Sequence, residues 1–498
     1  MKKLISLAIP LIISQLVAQL LVFTDVWMMA QLSIMAIAGG GLGAAVYSIV
    51  FTVAGSTVGC VANLIAIAYG KKLKSSEKGE RDIRVALKSG ILLSLLLTLA
   101  LQPLFFLMHD LLLAAKQDPD AVVLAVDYLD ALKWSMLPTL VLLVLRSLVS
   151  AFGDTRSVMV MSLATVILNV PISYLFAFSL DMGLAGLGYG TALAAFLVML
   201  GYGYWVFTRN KYRHYNPFTL LEEYKPGIMV PLLAIGIPIM IATLLEHALF
   251  SGAALLAGTL GAVSLAIHQI ALQCLNLSWN IAFGLSQAAS ILVSQHVGRQ
   301  EPAMVKYYAK QGMILVTLTS AVIGLLVSVK PEFLTLIFSI EGDSMASELV
   351  AALPGVMIMV AMCFVVDAWQ LAAISILRGM AVVKAPTVSS AIGYWFIGLP
   401  SAWLLMNFMG LRGIWAGLGI GLAATGLMLM VILLRELRKL TSKHSAYLSH
   451  SDVAHSETAH SDMAHSELAH VELSLVENAL ESGLPESAEK KKASVLLG

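Results

Sequence analysis

The stretch Met362-Cys-Phe-Val-Val-Asp-Ala-Trp-Gln-Leu-Ala-Ala-Ile-Ser-Ile-Leu377 carries a single acid, Asp367, inside an uncharged and largely apolar run. A helix rises about 1.5 Å per residue, which puts Asp367 roughly 15 Å from the basic end at Arg378. That is near the middle of a hydrocarbon layer about 30 Å thick. An ionised carboxyl at that depth is costly unless it is protonated, paired or holding a cation. The run therefore reads as a membrane-spanning helix with a group suited to handling cations.

The rest of the chain agrees. Of 498 residues 59% are hydrophobic and only 12% charged, with a mean hydropathy of +0.86. So little polar surface cannot cover a soluble protein of this size. In lipid the backbone must satisfy its own hydrogen bonds, so recurring apolar runs imply an all-α polytopic membrane protein. Runs fall at 4–30, 35–69, 89–108, 131–151, 157–179, 183–207, 229–258, 262–295, 311–339, 349–376, 385–406 and 409–434. Several exceed the roughly 20 residues needed to cross, so tilt, kinks or protrusion are expected, with Pro10, Pro171, Pro238, Pro354 and Pro400 as candidate kinks. The opening Met1-Lys-Lys-Leu is read as the start of the first span, because the apolar run continues past Leu20 without a small-x-small cleavage site. Cys60, Cys274 and Cys363 are odd in number, show no ligand spacing and read as small hydrophobes.

Charge assigns the sides. Lys2 and Lys3, Lys71–Lys78, Arg209/Lys211/Arg213, Arg299/Lys306/Lys310, Arg378/Lys384 and Arg435/Arg438/Lys439 fall in alternate loops and at the chain ends of one face. The opposite loops hold few bases (Lys116, Lys330, Arg412) and several acids, as in Gln117-Asp-Pro-Asp and Glu341-Gly-Asp. The positive-inside rule then predicts cytoplasmic termini and an even number of spans.

The chain also repeats itself. Ala8-Ile-Pro10 returns as Gly236-Ile-Pro238 and Tyr69-Gly-Lys71 as Val297-Gly-Arg299, at offsets 238 − 10 = 228 and 298 − 70 = 228. Met182-Gly-Leu-Ala-Gly186 pairs with Met409-Gly-Leu-Arg-Gly413 at 409 − 182 = 227. Six spans per half is even, so the halves share an orientation and are related by an axis along the membrane normal. The expected architecture is twelve transmembrane helices in two pseudo-symmetric six-helix bundles around a cleft. The bundles would occupy residues 1–210 and 229–440, joined by a cytoplasmic linker at 211–228 and followed by a tail at 441–498.

The acids break the symmetry: Asp25 plus 228 gives Ala253, and Glu246 minus 228 gives Ala18. Asp25 lies toward the outer part of the first span, where it is either a solvated helix-end carboxyl or a cation ligand. Glu246 is in the outer half of the seventh. His247, its neighbour at i+1, faces elsewhere on a helix. Two intramembrane carboxyls can take up a proton or, with hydroxyl, amide and carbonyl oxygens, replace the water around a sodium ion. Residue types alone leave both ions open. Asn276, Asn280 and Tyr394 could complete such a shell, as could Asn169 in the first half; asparagines in membrane helices also serve as interhelical hydrogen-bonders. Abundant Met (24) and Trp (8) suit a cavity for aromatic cations, and equally suit lipid-facing and interfacial positions. No GxxxxGK[ST] phosphate cradle is present, so an ion gradient is the expected energy source and no enzymatic activity is expected. After Lys443 the composition turns to His450, His455, His460, His465 and His470 at intervals of five, among Ser and Glu. A five-residue period makes no helical stripe, and the tail reads as a solvated disordered segment with at most weak metal affinity.

These residues together resemble the multidrug and toxic compound extrusion (MATE) family, most closely its NorM-type branch, over about residues 5–435. The pieces that carry the resemblance are Ile9-Pro10 leading to Val22-Phe-Thr-Asp25, Leu244-Leu-Glu-His247 and Ala266-Ile-His-Gln-Ile-Ala271. Asp367 followed by Leu377-Arg-Gly379, and Gly393-Tyr-Trp-Phe-Ile-Gly-Leu-Pro400, complete the set. The resemblance implies a cation-coupled exporter. With the readings above, the expectation is a Na+- or H+-coupled antiporter in the bacterial inner membrane, without a further cofactor and functional as a monomer because one chain holds the whole pathway. It would export small organic cations, with lipid as its surroundings and no nucleic-acid partner. The family's cation site maps onto Glu246 and Asp367, and its first-helix acid onto Asp25. The DinF-type branch has a second Asp two residues after the position of Pro171, where this chain has Ser173, which favours the C-terminal site. A flippase for lipid-linked precursors is the alternative; it calls for basic groups in the cavity, where this sequence offers acids. A channel or receptor fits poorly with a two-bundle repeat carrying unmatched acids.

Overall fold

The structure is a computed structural model that describes residues 1–219, 223, 226–329 and 344–442. The histidine tail and the outer-loop residues Lys330, Glu341 and Asp343 lie outside them. Met1–Leu437 form one compact unit, and the architecture below is that of this unit. Among the described residues there is no strand.

Among the described residues twelve long helices follow one another. They are α1 Lys2–Leu32, α2 Ile34–Lys74, α3 Glu77–Phe106, α4 Pro119–Ala151, α5 Thr155–Ser179 and α6 Gly183–Thr208, then α7 Val230–Thr259, α8 Ala262–Gly298, α9 Pro302–Ser328, α10 Ser344–Gly379, α11 Lys384–Met409 and α12 Leu411–Ser442. Eleven are long and apolar enough to cross a membrane. The twelfth, α8, has 37 residues and carries His268, Gln269, Gln273, Asn276 and Asn280 along its first half.

Two helices begin well before the apolar runs that announced them. The helix of the 131–151 run starts at Pro119, because Asp118 accepts from Asp120 N (2.9 Å) and Ala121 N (3.2 Å) and Pro119 takes the first turn, where no N–H is needed. The helix of the 89–108 run starts at Glu77, and its charged extension is held by Lys71–Asp82 (2.7 Å) and Lys72–Glu80 (2.8 Å) ion pairs. Pro10, Pro171, Pro238 and Pro354 sit inside continuous helices. Wider π-helical turns interrupt α5 at Leu175–Ser179 and α11 at Ile392–Gly398, the latter just ahead of Pro400.

Packing follows the repeat. In the first bundle α1 lies on α5, α5 on α6, and α2 on α4; in the second α7 lies on α11, and α8, α9 and α10 pack against each other. Between bundles α1 meets α8, its repeat-mate α7 meets α2, and α2 meets α8 on the pseudo-axis. Lipid gives helices no hydrophobic drive to associate, so close approach through small residues does the work. A Cβ on Gly70 would overlap the Gln295 carbonyl oxygen, and one on Gly298 would overlap that of Ile67. These two glycines are repeat-mates (298 − 70 = 228). Gly236 is likewise pressed onto Thr57, and a Cβ on Gly284 would stand 2.9 Å from Ile12 Cα.

Polar contacts join the bundles in the same region: Arg146 to Gln287 (3.0 Å), Gln295 to the Ala151 carbonyl (2.7 Å), Ser290 to Asn63 (3.0 Å) and the Met1 amine to Tyr307 (3.1 Å). All of them lie in the halves of the helices next to the basic loops, so the molecule is closed at that end. At the other end Phe23, Trp27, Ile34, Leu255 and Leu277 are more than half exposed.

Candidate functional site

The second bundle builds a polar cluster out of helix geometry. Asp367 and Gln370 are one turn apart on α10, and at i, i+3 they share a face. Gln370 Nε2 donates to Asp367 Oδ1 at 3.0 Å and reaches Glu246 Oε1 of α7 at 3.5 Å. Its Oε1 accepts from the Tyr394 hydroxyl of α11 at 2.5 Å. Asp367, Gln370 and Tyr394 are each 2% exposed, while Glu246 is half-buried. Tyr394 is aimed by the π-helical turn Ile392–Gly398, and Gly393 beside it lets that turn close onto Thr425 of α12. One amide thus ties three helices and two carboxyls together inside the membrane. The two carboxyls, through Glu246 Oε1 and Asp367 Oδ1, are on hand for a proton or a monovalent cation. Among the described residues no three His, Cys, Asp or Glu side chains converge as transition-metal ligands.

Asn276 and Asn280 do not join this cluster. Asn276 is exposed, and Asn280 Nδ2 donates back to the Asn276 carbonyl of its own helix at 2.7 Å. His247 is exposed with Nδ1 3.0 Å from the Thr243 carbonyl oxygen. Two guanidinium groups also lie within the helices. Arg146 lies inside α4 and bonds Gln287, and Arg378 is close enough to Glu246 for their charges to interact. Both stand toward the basic end.

The first bundle has its own polar positions. Asp25 on α1 is half-buried, with Oδ1 shielded from solvent and without a hydrogen-bond partner. Its charge is felt by Tyr128 of α4. Asn169 on α5 is fully buried; its Nδ2 donates to Thr191 Oγ1 of α6 at 2.9 Å and its Oδ1 has no partner. Ser173, one turn further, is fully buried where Gly190 of α6 presses onto it. Between α1 and α5 runs a groove of about 490 Å³ lined by Thr24, Trp27, Met28, Pro171, Tyr174 and Leu175. Tyr174 stacks on Phe178 at 4.9 Å, giving the groove an aromatic wall.

Sequence reading passed over Gln370 and Thr191. The signal for Gln370 was available, since a polar residue at i+3 from a buried acid is its neighbour on the helix face. Thr191 carried none, because only packing brings α6 to Asn169.

The MatE family model matches residues 10–175 and again 238–404, the second match starting 228 residues after the first (238 − 10 = 228). The chain is 31% identical over 427 residues to a probable multidrug resistance protein NorM of Bradyrhizobium diazoefficiens, covering 83% of this chain and 89% of that protein. It is 31% identical over 442 residues to a probable multidrug resistance protein NorM of Pseudomonas putida, covering 86% and 93%. The fold is similar to that of a eukaryotic MATE transporter crystal structure (TM-score 0.78, 19% identity, 89% of this chain and 98% of that one). With both halves of the repeat matched and close relatives aligned along most of their length, the chain belongs to the MatE family.

Proposed function

We propose that this protein is a multidrug efflux transporter driven by a cation gradient, with Na+ or H+ entering as an amphipathic organic cation leaves. The names of its NorM relatives support efflux of drugs, and a transporter of this family is not an enzyme. The observation that carries the coupling is the pair Glu246 and Asp367, contributed by α7 and α10 and bridged by one amide inside the membrane. Charge placed there is held only at a cost that a bound cation relieves, so cation occupancy and bundle arrangement are linked. The positive-inside pattern supports a cytoplasmic location for the basic end and for both termini. In the proposed cycle a cation from outside neutralises Glu246 and Asp367 in an outward-open state while drug departs. Inward opening releases that cation. The groove between α1 and α5 offers the aromatic faces of Trp27 and Tyr174, the chemistry that attracts a flat cation.

The test is efflux of ethidium from proteoliposomes under an imposed Na+ gradient and, separately, a proton gradient, with wild type beside Asp367→Asn. Uphill efflux by wild type and not by Asp367→Asn supports the reading, and the effective gradient names the ion. Wild-type protein that responds to neither gradient overturns it.

A further inference from the structure

Gln370 holds a position that neither the sequence motifs nor its relatives' names assign. Its carboxamide is buried, and its polar contacts fall within one site: N–H to Asp367 Oδ1 (3.0 Å), N–H toward Glu246 Oε1 (3.5 Å), and Oε1 accepting from Tyr394 (2.5 Å). The Tyr394 hydroxyl fixes which end of the amide faces the acids. A phenol that donates to Oε1 turns the NH₂ group toward the two carboxyls. That NH₂ end points its partial positive charge into the gap where a coupling cation would have to sit.

We propose that Gln370 is a positioning residue that sets cation affinity by competing for the gap. In the cation-free state its N–H dipoles stabilise the ionised acids. An arriving cation must displace them, and the amide returns when the cation leaves. The proposal rests on the Glu246–Asp367 coupling reading above and deepens it. Its sign is opposite to that of a direct ligand. Removing a ligand weakens cation binding, whereas removing a competitor strengthens it. A hydrogen bond to an ionised group is strong enough that its loss changes affinity by about tenfold. Tighter binding also slows cation release, so maximal turnover falls while the half-saturating concentration falls with it.

The test uses Gln370→Met, which keeps the length and volume of the side chain and removes both donors and acceptor. Because that change leaves the Tyr394 hydroxyl without its acceptor, the double variant Gln370→Met with Tyr394→Phe is measured beside it; replacing both partners of a buried bond by apolar groups of similar shape is close to neutral for folding. Purified full-length protein in detergent is titrated with NaCl at fixed pH and, without sodium, with acid, following tryptophan fluorescence and thermal stability. Ethidium efflux is then measured against the same cation. The expected result is a half-saturating cation concentration about tenfold lower in both variants, with reduced maximal efflux. An unchanged or raised half-saturating concentration in the double variant overturns the proposal. Asp367→Asn in the same titrations separates the two ideas: a cation response that survives Asp367→Asn defeats the coupling site itself, whereas one lost there and weakened by Gln370→Met defeats the competitor role alone.

Discussion

Replacing Gly298 with alanine tests whether the basic end opens and closes by parting α2 from α8. The added methyl would overlap the Ile67 carbonyl oxygen and stand 2.9 Å from both Ile67 C and Lys71 N. Those are backbone atoms inside a helix, so they cannot swing aside as a flexible side chain would. Overpacking of this kind costs about 2 kcal/mol. The cost falls on the closed end only, because an opened end has no such contact. A difference of that size shifts the closed-to-open ratio about 30-fold.

Native Cys60 reports the outcome: it is 1% exposed, with Sγ 3.5 Å from the Leu232 carbonyl oxygen across the bundle interface. In a background carrying Cys274→Ala and Cys363→Ala, maleimide labelling of Cys60 in inside-out vesicles should rise by at least tenfold in Gly298→Ala. Its repeat-mate Gly70→Ala should do the same, because its Cβ meets the Gln295 carbonyl oxygen. Gly201→Ala on α6, with nothing within 4 Å, serves as the control and should label like wild type. Labelling and efflux unchanged in both Gly298→Ala and Gly70→Ala would refute the idea that this glycine crossing is the closure.

The remaining predictions concern the linker, the aromatic groove and the turn that aims Tyr394. Glu223 pairs with Lys88 (2.7 Å) and Arg84 (3.3 Å), fastening the segment before α7 to α3. Partial burial pushes its carboxyl up, but the Lys88 hydrogen bond and the two positive charges outweigh this and hold it below the usual carboxylate range. The pair therefore stabilises the fold fully above the ordinary carboxylate range and ceases to do so as pH falls through the lowered folded value. Glu223→Gln should lower the unfolding free energy by about 1–3 kcal/mol at pH 7, with the gap to wild type closing on acidification in thermal melts. Trp27→Ala and Tyr174→Ala should each raise the KM for ethidium several-fold by removing a face of the groove, while leaving the response to cation titration intact; equal KM values would exclude the groove as a drug path. Gly393→Ala should impair coupling, because its methyl meets Thr425 Oγ1 and the Gly421 carbonyl oxygen (3.1 Å) and displaces the turn that holds Tyr394. Wild-type cation titration in Gly393→Ala would count against that.

The spans, their number and their grouping into two like-oriented halves were determined by the sequence alone. Apolar length and loop charge are local properties, and a repeat at 228 residues is visible without any contact. Asp367 also declared itself alone, since an acid at mid-membrane is conspicuous against apolar neighbours. Helix starts such as Pro119 and Glu77 were less legible, because charged first turns outside the lipid look like loop. Only the tertiary structure decided which polar groups meet. Glu246 and Asp367 lie on α7 and α10, and the residue that joins them is Gln370 rather than Asn276 or Asn280, which face their own helix or solvent. Which helix faces lie together depends on lateral packing, set by glycine contacts such as Gly70 on Gln295 and Gly393 on Thr425. Hydropathy fixes where a residue lies along the membrane normal and leaves its direction within the plane to the neighbours that fit against it.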